Sequence, residues 1–156
     1  MAEREKFYLT KKGLEEFKKE YETLKGLRIA KTKGEVPKIW ESEDLNPEYL
    51  SFQEDLTFLE TRIVGLENIL KNACLIERPS KKKSNVISLG ATVRVKVGEE
   101  KDEFTIVGTL EAKPSLGKIS NESPVGMALL GHKVGDEVLI SSPIKTIYKI
   151  NKIKYN

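Results

Sequence analysis

The sequence predicts an α+β protein, in which an N-terminal antiparallel coiled-coil hairpin precedes a small antiparallel β domain with one short helix. Apolar residues recur every three or four positions in the first half of the chain and every second position in part of the second half. A basic stretch that contains proline separates the two patterns. We therefore expect a hairpin domain over 1–76, a linker over 77–88 and a β domain over 89–156.

The clearest helical pattern lies in the middle of the chain. Apolar or small residues alternate there in steps of three and four, which is the seam of a coiled coil. These seam residues are Tyr49, Phe52, Leu56, Leu59, Ile63, Leu66, Leu70 and Ala73. Pro47 suits the first position of this helix, where its missing N–H costs nothing, and Asn46 suits the N-cap. The pattern predicts a helix over about 47–73.

A first helical segment precedes it, over about 8–33. Thr10 suits the N-cap position of this helix. Its seam positions are Leu14, Phe17, Tyr21 and Leu24. Gly34 and Pro37 disfavour helical backbone, so we expect the helix to end or bend between 30 and 37.

The second half of the chain favours strands. Residues 93–97 alternate valine with Arg94 and Lys96, which is typical of a half-buried strand. A turn is expected over 98–103, and further strands at 104–108, 137–141 and 146–155. Between them, Ser123 suits an N-cap, Pro124 a first helical position and Gly131 a helix stop, so a short helix is predicted there.

Composition narrows the possible functions. The net charge of +3 is too small for a strong nucleic-acid footprint over the whole chain. The single cysteine, Cys74, excludes an internal disulfide and a multi-cysteine zinc site, and the single histidine, His132, leaves little for a catalytic group. The first residues lack an apolar signal segment, and no stretch approaches the roughly 20 apolar residues of a membrane span. We expect a cytoplasmic protein.

An acidic turn precedes the second helix and contains Glu41, Glu43 and Asp44. Carboxylates at the end of a hairpin can help to hold magnesium together with waters and phosphate oxygens, or position an attacking water. The alternative is a solvated acidic turn that benefits from the dipole of the second helix. The residue pattern alone favours the solvated turn, because charge clusters usually face solvent.

Several stretches resemble the Gre transcript cleavage factors, the bacterial GreA/GreB proteins. The stretch Tyr8-Leu9-Thr10-Lys11-Lys12-Gly13-Leu14-Glu15-Glu16-Phe17 is similar to the opening helix of that family. The more specific part is the ordered set 89–93, 104–108 and 119–138, which includes Ser123-Pro124-Val125-Gly126-Met127-Ala128-Leu129-Leu130-Gly131. The resemblance covers most of the second domain and spans nearly the whole chain.

The resemblance implies an FKBP-like C-terminal domain that binds bacterial RNA polymerase at the mouth of its secondary channel. The hairpin would pass down the channel, where its tip carboxylates would help to hold the second magnesium ion and the water in the active site of the polymerase. The 3′ end of backtracked RNA would then be cut. The chain would have no cofactor of its own and would not catalyse alone, and we expect a monomer that does not contact a membrane.

The resemblance also assigns residues. Asp44 matches the functional aspartate of the family, and Glu43 or Glu41 would assist it; Asp44 and Glu43 would share the magnesium ion with the polymerase. The family pattern has two more residues after the aspartate–leucine pair than this chain, and its functional glutamate falls in that gap. The residues that match the polymerase-binding loop are Ser123, Pro124 and Val125.

Three other functions stay open at this point. The altered tip would suit a channel-binding inhibitor or modulator of RNA polymerase without cleavage activity. An FKBP-like domain also raises prolyl isomerase activity, although the second domain has no tryptophan and few aromatic residues to line a proline pocket. A free-standing RNA-binding arm is disfavoured by the low net charge.

Overall fold

The computed structural model describes residues 5–34, 47–141 and 144–155. It confirms the α+β fold class, with helices in the first half and a curled sheet in the second. The chain forms two compact units. Met1–Gly13 together with Ala73–Asn156 form one, which we call the β unit, and Leu14–Asn72 form the other. The predicted domain boundaries at 76 and 89 stay predictions, because the division into compact units places residues 1–13 with the β domain. No helix in the described ranges is long and apolar enough to cross a membrane.

Two long helices dominate the first half of the chain, α1 (Lys11–Lys33) and α2 (Pro47–Lys71). α1 ends inside the expected window, and α2 begins at the proline that suits a first position. At 1.5 Å per residue they are about 35 and 38 Å long. Every seam residue of α2 is buried or half-buried, and Ile63 and Leu66 are at most 1% exposed. The seam pattern is therefore confirmed from Tyr49 to Leu70, whereas Ala73 lies beyond the end of the helix and begins a short strand.

Polar contacts join the two helices along their length. The pairs are Glu20 with Arg62, Tyr21 with Glu67, and Lys31 with Asp55. Because later residues of α1 meet earlier residues of α2, the helices are antiparallel. The hydrogen bond to Glu20 raises the pKa of the Arg62 guanidinium, and the hydrogen bond to Glu67 raises the pKa of the Tyr21 phenol. The contacts therefore favour the protonated form of each donor.

The second half of the chain builds a five-stranded sheet, and two short strands pair separately. The strands are β1 (Phe7–Leu9), β2 (Ala73–Leu75), β3 (Ala91–Val97), β4 (Glu100–Val107), β5 (Lys118–Ser120), β6 (Glu137–Ile140) and β7 (Thr146–Tyr155). The sheet order is β5-β4-β3-β7-β6, and every neighbouring pair is antiparallel except β4 with β5 at one edge.

The expected turn over 98–103 is shorter in the structure. Val97 pairs with Glu100, so only Gly98 and Glu99 connect β3 to β4. Gly98 has a φ of +63°, a conformation that glycine adopts without strain. The charged residues that open β4 are exposed, which is why the sequence pattern concealed the start of this strand.

The core of the β unit lies on one face of the sheet, which the short helix α3 (Pro124–Leu129) covers. Side chains of the three central strands alternate between this core and solvent, as the period of two predicts. The largest side chains fully buried in this core are Ile87, Val93, Val95, Ile106, Leu129 and Ile150. We call the opposite, solvent-facing side of the sheet the outer face.

The residues before α1 form a strand that the sequence did not reveal. β1 pairs in parallel with β2, so Phe7 lies opposite Ala73. The Glu111 carboxylate then accepts hydrogen bonds from Thr10 N–H at 2.7 Å and from Thr10 Oγ1 at 2.6 Å. Thr10 Oγ1 in turn accepts from Gly13 N–H at 3.1 Å, which confirms the predicted N-cap. Glu111 thus fixes the beginning of α1 on the β unit.

Two glycines of α1 provide a matched test of this arrangement. A Cβ atom on Gly13 would overlap the Glu111 carboxylate, whereas a Cβ atom on Gly26 would meet nothing within 4 Å. Alanine favours a helix by about 1 kcal/mol over glycine. We therefore expect Gly26→Ala to raise the free energy of unfolding by about 0.5–1 kcal/mol. We expect Gly13→Ala to lower it by about 1 kcal/mol, because moving the carboxylate breaks its bonds to Thr10.

Urea unfolding followed by circular dichroism measures both changes. Equal stabilisation by Gly13→Ala and Gly26→Ala would show that the carboxylate moves aside without loss and that its bonds to Thr10 contribute little.

Candidate partner-binding site

The predicted site residues fall into two groups. Asp44, Glu43 and Glu41 lie outside the described residues, as does the neighbouring Trp40. Within the described ranges, no three His, Cys, Asp or Glu side chains converge as metal ligands. The catalytic and metal roles of the acidic turn stay predictions. The second group, Ser123 to Val125, is described in full.

Ser123 shapes the start of α3. Its Oγ donates to the Ser120 carbonyl oxygen at 2.6 Å and accepts from Gly126 N–H at 3.1 Å. Its own N–H donates to the same carbonyl at 3.0 Å. The predicted cap is confirmed, and the hydroxyl already has a donor and an acceptor partner. Ser123 therefore acts mainly by holding the loop before α3 in one conformation.

Gly126 allows this loop to pack closely. It is buried, and a Cβ atom there would overlap the Ser120 carbonyl oxygen. The sequence serine–proline–any residue–glycine thus has a local explanation. Serine caps the helix, Pro124 needs no N–H partner at the first position, and glycine admits the carbonyl of β5.

The side chains of α3 divide between core and solvent. Val125 is half-buried and packs against the core, whereas Pro124 is exposed. Met127 is 59% exposed and lies three residues after Pro124, on the same side of the helix. Pro124 and Met127 therefore form the apolar surface that a partner can reach. Sequence reasoning missed Met127, although an unbranched apolar residue at an outward helical position is the signal that reveals it.

Polar contacts hold the loop before α3 to the turn that follows β4. Thr109 Oγ1 donates to Glu122 Oε2 at 3.0 Å and lies 2.9 Å from Ser120 Oγ. The Ser120 hydroxyl also accepts from Glu122 N–H at 3.0 Å. Three side chains thus brace one another, so the loop needs little ordering when it meets a partner.

A depression of about 170 Å³ lies beside this loop, within the same compact unit. Its lining includes Tyr8 of β1 and Leu110, which are 38% and 42% exposed, together with Glu122. The depression thus places two exposed apolar side chains among polar ones, next to the braced loop, and extends the surface that a protein could contact.

The basic residues of α1 contact both helices. Lys31 Nζ lies 3.3 Å from Asp55 Oδ2 of α2 and 5.0 Å from the centre of the Phe52 ring. Lys25 instead contacts its own helix, at 4.0 Å from Glu22 and 4.8 Å from the Tyr21 ring centre. Of these two lysines, Lys31 pairs with a carboxylate of α2, whereas Lys25 pairs within α1.

Two protein-family models match this chain, one in each half. The model of the family described as "Transcription elongation factor, N-terminal" matches residues 7–74, and that described as "Transcription elongation factor, GreA/GreB, C-term" matches residues 81–155. Among solved structures, the chain is 29% identical to the GreA factor homolog 1 (Gfh1) protein of Thermus thermophilus, with 96% of this chain and 99% of the other covered and a TM-score of 0.42.

Curated relatives align over nearly their full length. The protein named transcription elongation factor GreA of Thermomicrobium roseum is 41% identical over 146 residues, which cover 92% of this chain and 94% of the relative. The protein of the same name from Clostridium acetobutylicum is 42% identical over 159 residues, which cover 99% and 100%. The chain therefore belongs to the GreA/GreB family of transcription elongation factors.

Proposed function

We propose that this protein binds bacterial RNA polymerase at its secondary channel and stimulates the polymerase's own cleavage of backtracked RNA. The observation that carries the proposal is the antiparallel pair of α1 and α2. α1 ends at Lys33 and α2 begins at Pro47, and the acidic residues belong to the segment of chain between them. Membership of a family of elongation factors supports a role in rescuing arrested complexes.

The dimensions of the hairpin suit a narrow channel. Each helix is about 10–12 Å across with its side chains, and each is about 35–38 Å long. Cross-helix pairs such as Glu20 with Arg62 stabilise this thin object, which has little core of its own. A hairpin of this length can carry a small group of side chains to a site that a globular surface cannot reach.

The acidic residues would act as magnesium ligands only inside the complex. Magnesium prefers carboxylate oxygens, waters and phosphate oxygens. Asp44 and Glu43 would supply carboxylates to the second ion, and Glu41 would assist; both glutamates precede Asp44, whereas the functional glutamate of the family follows its aspartate. In a two-metal hydrolysis that ion stabilises the attacking oxygen. The polymerase would perform the reaction, and this chain would complete its active site.

The β unit would supply the surface that binds the polymerase. Pro124 and Met127 offer exposed apolar area, Ser123 holds the loop, and Val125 supports it from the core. Residues that dominate binding energy cluster near the centre of an interface, where they lose contact with water, and Pro124 and Met127 would occupy that position.

The alternative is a channel-binding inhibitor that keeps the partner and lacks the chemistry. The sequence around Asp44 favours it, because the chain has two residues fewer than the family pattern and retains only one matching acid. Such a protein would occupy the channel and slow elongation without producing short RNA.

Asp44→Asn separates these two functions. The substitution removes one metal ligand and its charge, so we expect the rate of RNA cleavage in backtracked complexes to fall at least about tenfold. Glu54→Gln, at an exposed position of α2, is the matched control and should leave cleavage unchanged. Competition for polymerase should give equal affinities for both variants.

If Asp44→Asn cleaves as well as the parent chain, the role assigned to Asp44 is wrong. If the parent chain itself releases no short RNA and slows elongation, the inhibitor function replaces the proposal.

Met127→Gln tests the docking surface. Losing an apolar anchor from the centre of an interface should weaken binding to polymerase about tenfold, or ~1.4 kcal/mol. Val134→Gln, at an apolar residue that is 54% exposed elsewhere in the same unit, should leave the affinity unchanged. Thermal unfolding of both variants checks that neither change acts through stability. Equal losses of affinity would exclude α3 as the docking element.

A further inference from the structure

The outer face of the sheet concentrates positive charge. Cross-strand register places three rows of side chains there, each with one residue from β4, β3 and β7. The rows are Thr105, Thr92 and Lys154; Glu103, Arg94 and Lys152; and Lys101, Lys96 and Lys149. Six of these nine positions are cationic and one is acidic. We call this set the basic face. At the sheet edges the rows continue with Lys118 of β5 beside Thr105 and with Glu137 of β6 beside Lys149.

A β-bulge makes the basic face possible. Lys149 and Lys152 are three residues apart, so a regular strand would point them to opposite sides of the sheet. The register shifts between Arg94 and Val95, which pair with Lys152 and Ile150, so Asn151 is the extra residue. The bulge therefore turns both lysines outward.

Most of this charge has no partner within the described residues. Arg94 Nε lies 2.8 Å from Glu103 Oε2, and this is the one ion pair of the basic face among the residues that the structure describes. The five lysines are exposed, and no described carboxylate lies within 4.0 Å of them. Adjacent strands are about 4.8 Å apart, and alternate residues along a strand about 6.7 Å apart. Repulsion among these cations is relieved when a polyanion binds.

The surface also supplies an uncharged donor, because two threonine hydroxyls share one hydrogen bond and one of their two O–H groups stays available. Thr92 Oγ1 and Thr105 Oγ1 lie 3.0 Å apart. They line a depression of about 170 Å³, together with three cations, Arg94, Lys152 and Lys154, and with Glu103, whose charge Arg94 balances. A larger groove of about 820 Å³ shares Arg94 and Lys152 with it. Hydroxyl groups between cations suit a phosphate group, which accepts several hydrogen bonds at once.

We propose that the basic face binds the phosphate backbone of double-stranded DNA without reading its sequence. Five of its six cations are lysines, which contact phosphates as point charges, and the one guanidinium is already paired with Glu103. Base recognition in the major groove mostly uses arginine, asparagine or glutamine in bidentate geometry.

The composition of the face argues against a single strand as the occupant. Binding of unpaired bases relies on aromatic side chains as stacking platforms. None of the nine positions of the basic face is aromatic. Phe104 and Tyr148 belong to the other side of the sheet, where they pack against the core.

Positive and negative residues are unevenly distributed along the chain. The net charge of the whole chain therefore does not describe this surface. Residues 77–156 contain fourteen lysines and arginines and nine acidic residues, whereas the remaining residues are acidic on balance. The face lies opposite α3, so the proposal is independent of polymerase binding through Pro124 and Met127.

Fluorescence anisotropy of a labelled 20-base-pair DNA duplex with the full chain, in the absence of polymerase, tests the proposal. At physiological salt we expect a dissociation constant of about 10⁻⁶–10⁻⁴ M, and tighter binding at lower salt. The logarithm of the association constant should fall with the logarithm of salt concentration with a slope of about −3 or steeper, which corresponds to at least three phosphate contacts.

Two triple variants, each of which removes three positive charges, locate the site. Lys96→Gln, Lys152→Gln and Lys154→Gln together should weaken binding about tenfold and make the salt slope shallower by about 2. Lys12→Gln, Lys18→Gln and Lys19→Gln together remove the same charge from exposed positions of α1 and should change affinity less than about twofold. Thermal unfolding confirms that both variants are folded.

Lysine acetylation of the parent chain gives a second measurement that needs no substitution. Duplex DNA should protect Lys96, Lys152 and Lys154 and leave Lys18 and Lys19 reactive. Equal losses in the two triple variants, a salt slope near zero or absence of this protection would overturn the proposal. So would tighter binding of a single-stranded RNA of the same length, or displacement of the duplex by an equal concentration of an acidic peptide.

Discussion

The pairing of β1 with β2 determines the path of the first half of the chain. Phe7–Leu9 precede the helical hairpin and Ala73–Leu75 follow it, and their parallel pairing brings the two ends of the hairpin together. Glu111 then accepts two hydrogen bonds from Thr10, at the residue before α1 begins. The chain between these strands must therefore reverse direction, and the antiparallel helices α1 and α2 do so.

The hairpin and the β unit have different tasks. The hairpin supplies length, and its polar pairs stabilise it where little core is available. The β unit supplies rigid surfaces, since its strands bury a continuous core against α3. The proposed polymerase contact and the proposed DNA contact lie on opposite sides of that core, so one small domain can serve two partners.

Much of the fold was predictable because its signals are local. The seam of α2, the proline at its first position, the serine cap of α3 and the whole of β7 depend on residues close in sequence. β1 and β2 were missed because a three-residue strand has too few positions to show a period. The basic face was missed because it depends on cross-strand register and on the bulge at Asn151, which place distant lysines side by side. The position of the candidate docking loop was predictable from its motif, whereas the exposure of Met127 required the packing of α3.

Photo-crosslinking from the hairpin tip tests most directly the claim that the hairpin reaches the polymerase active site. A photo-reactive amino acid would be placed at Leu45, next to Asp44, and in a control at Phe58, an exposed residue midway along α2. In backtracked complexes we expect Leu45 to crosslink to the 3′-terminal nucleotides of the RNA and Phe58 not to do so. Crosslinks from Leu45 only to protein on the outer surface of the polymerase would contradict this claim.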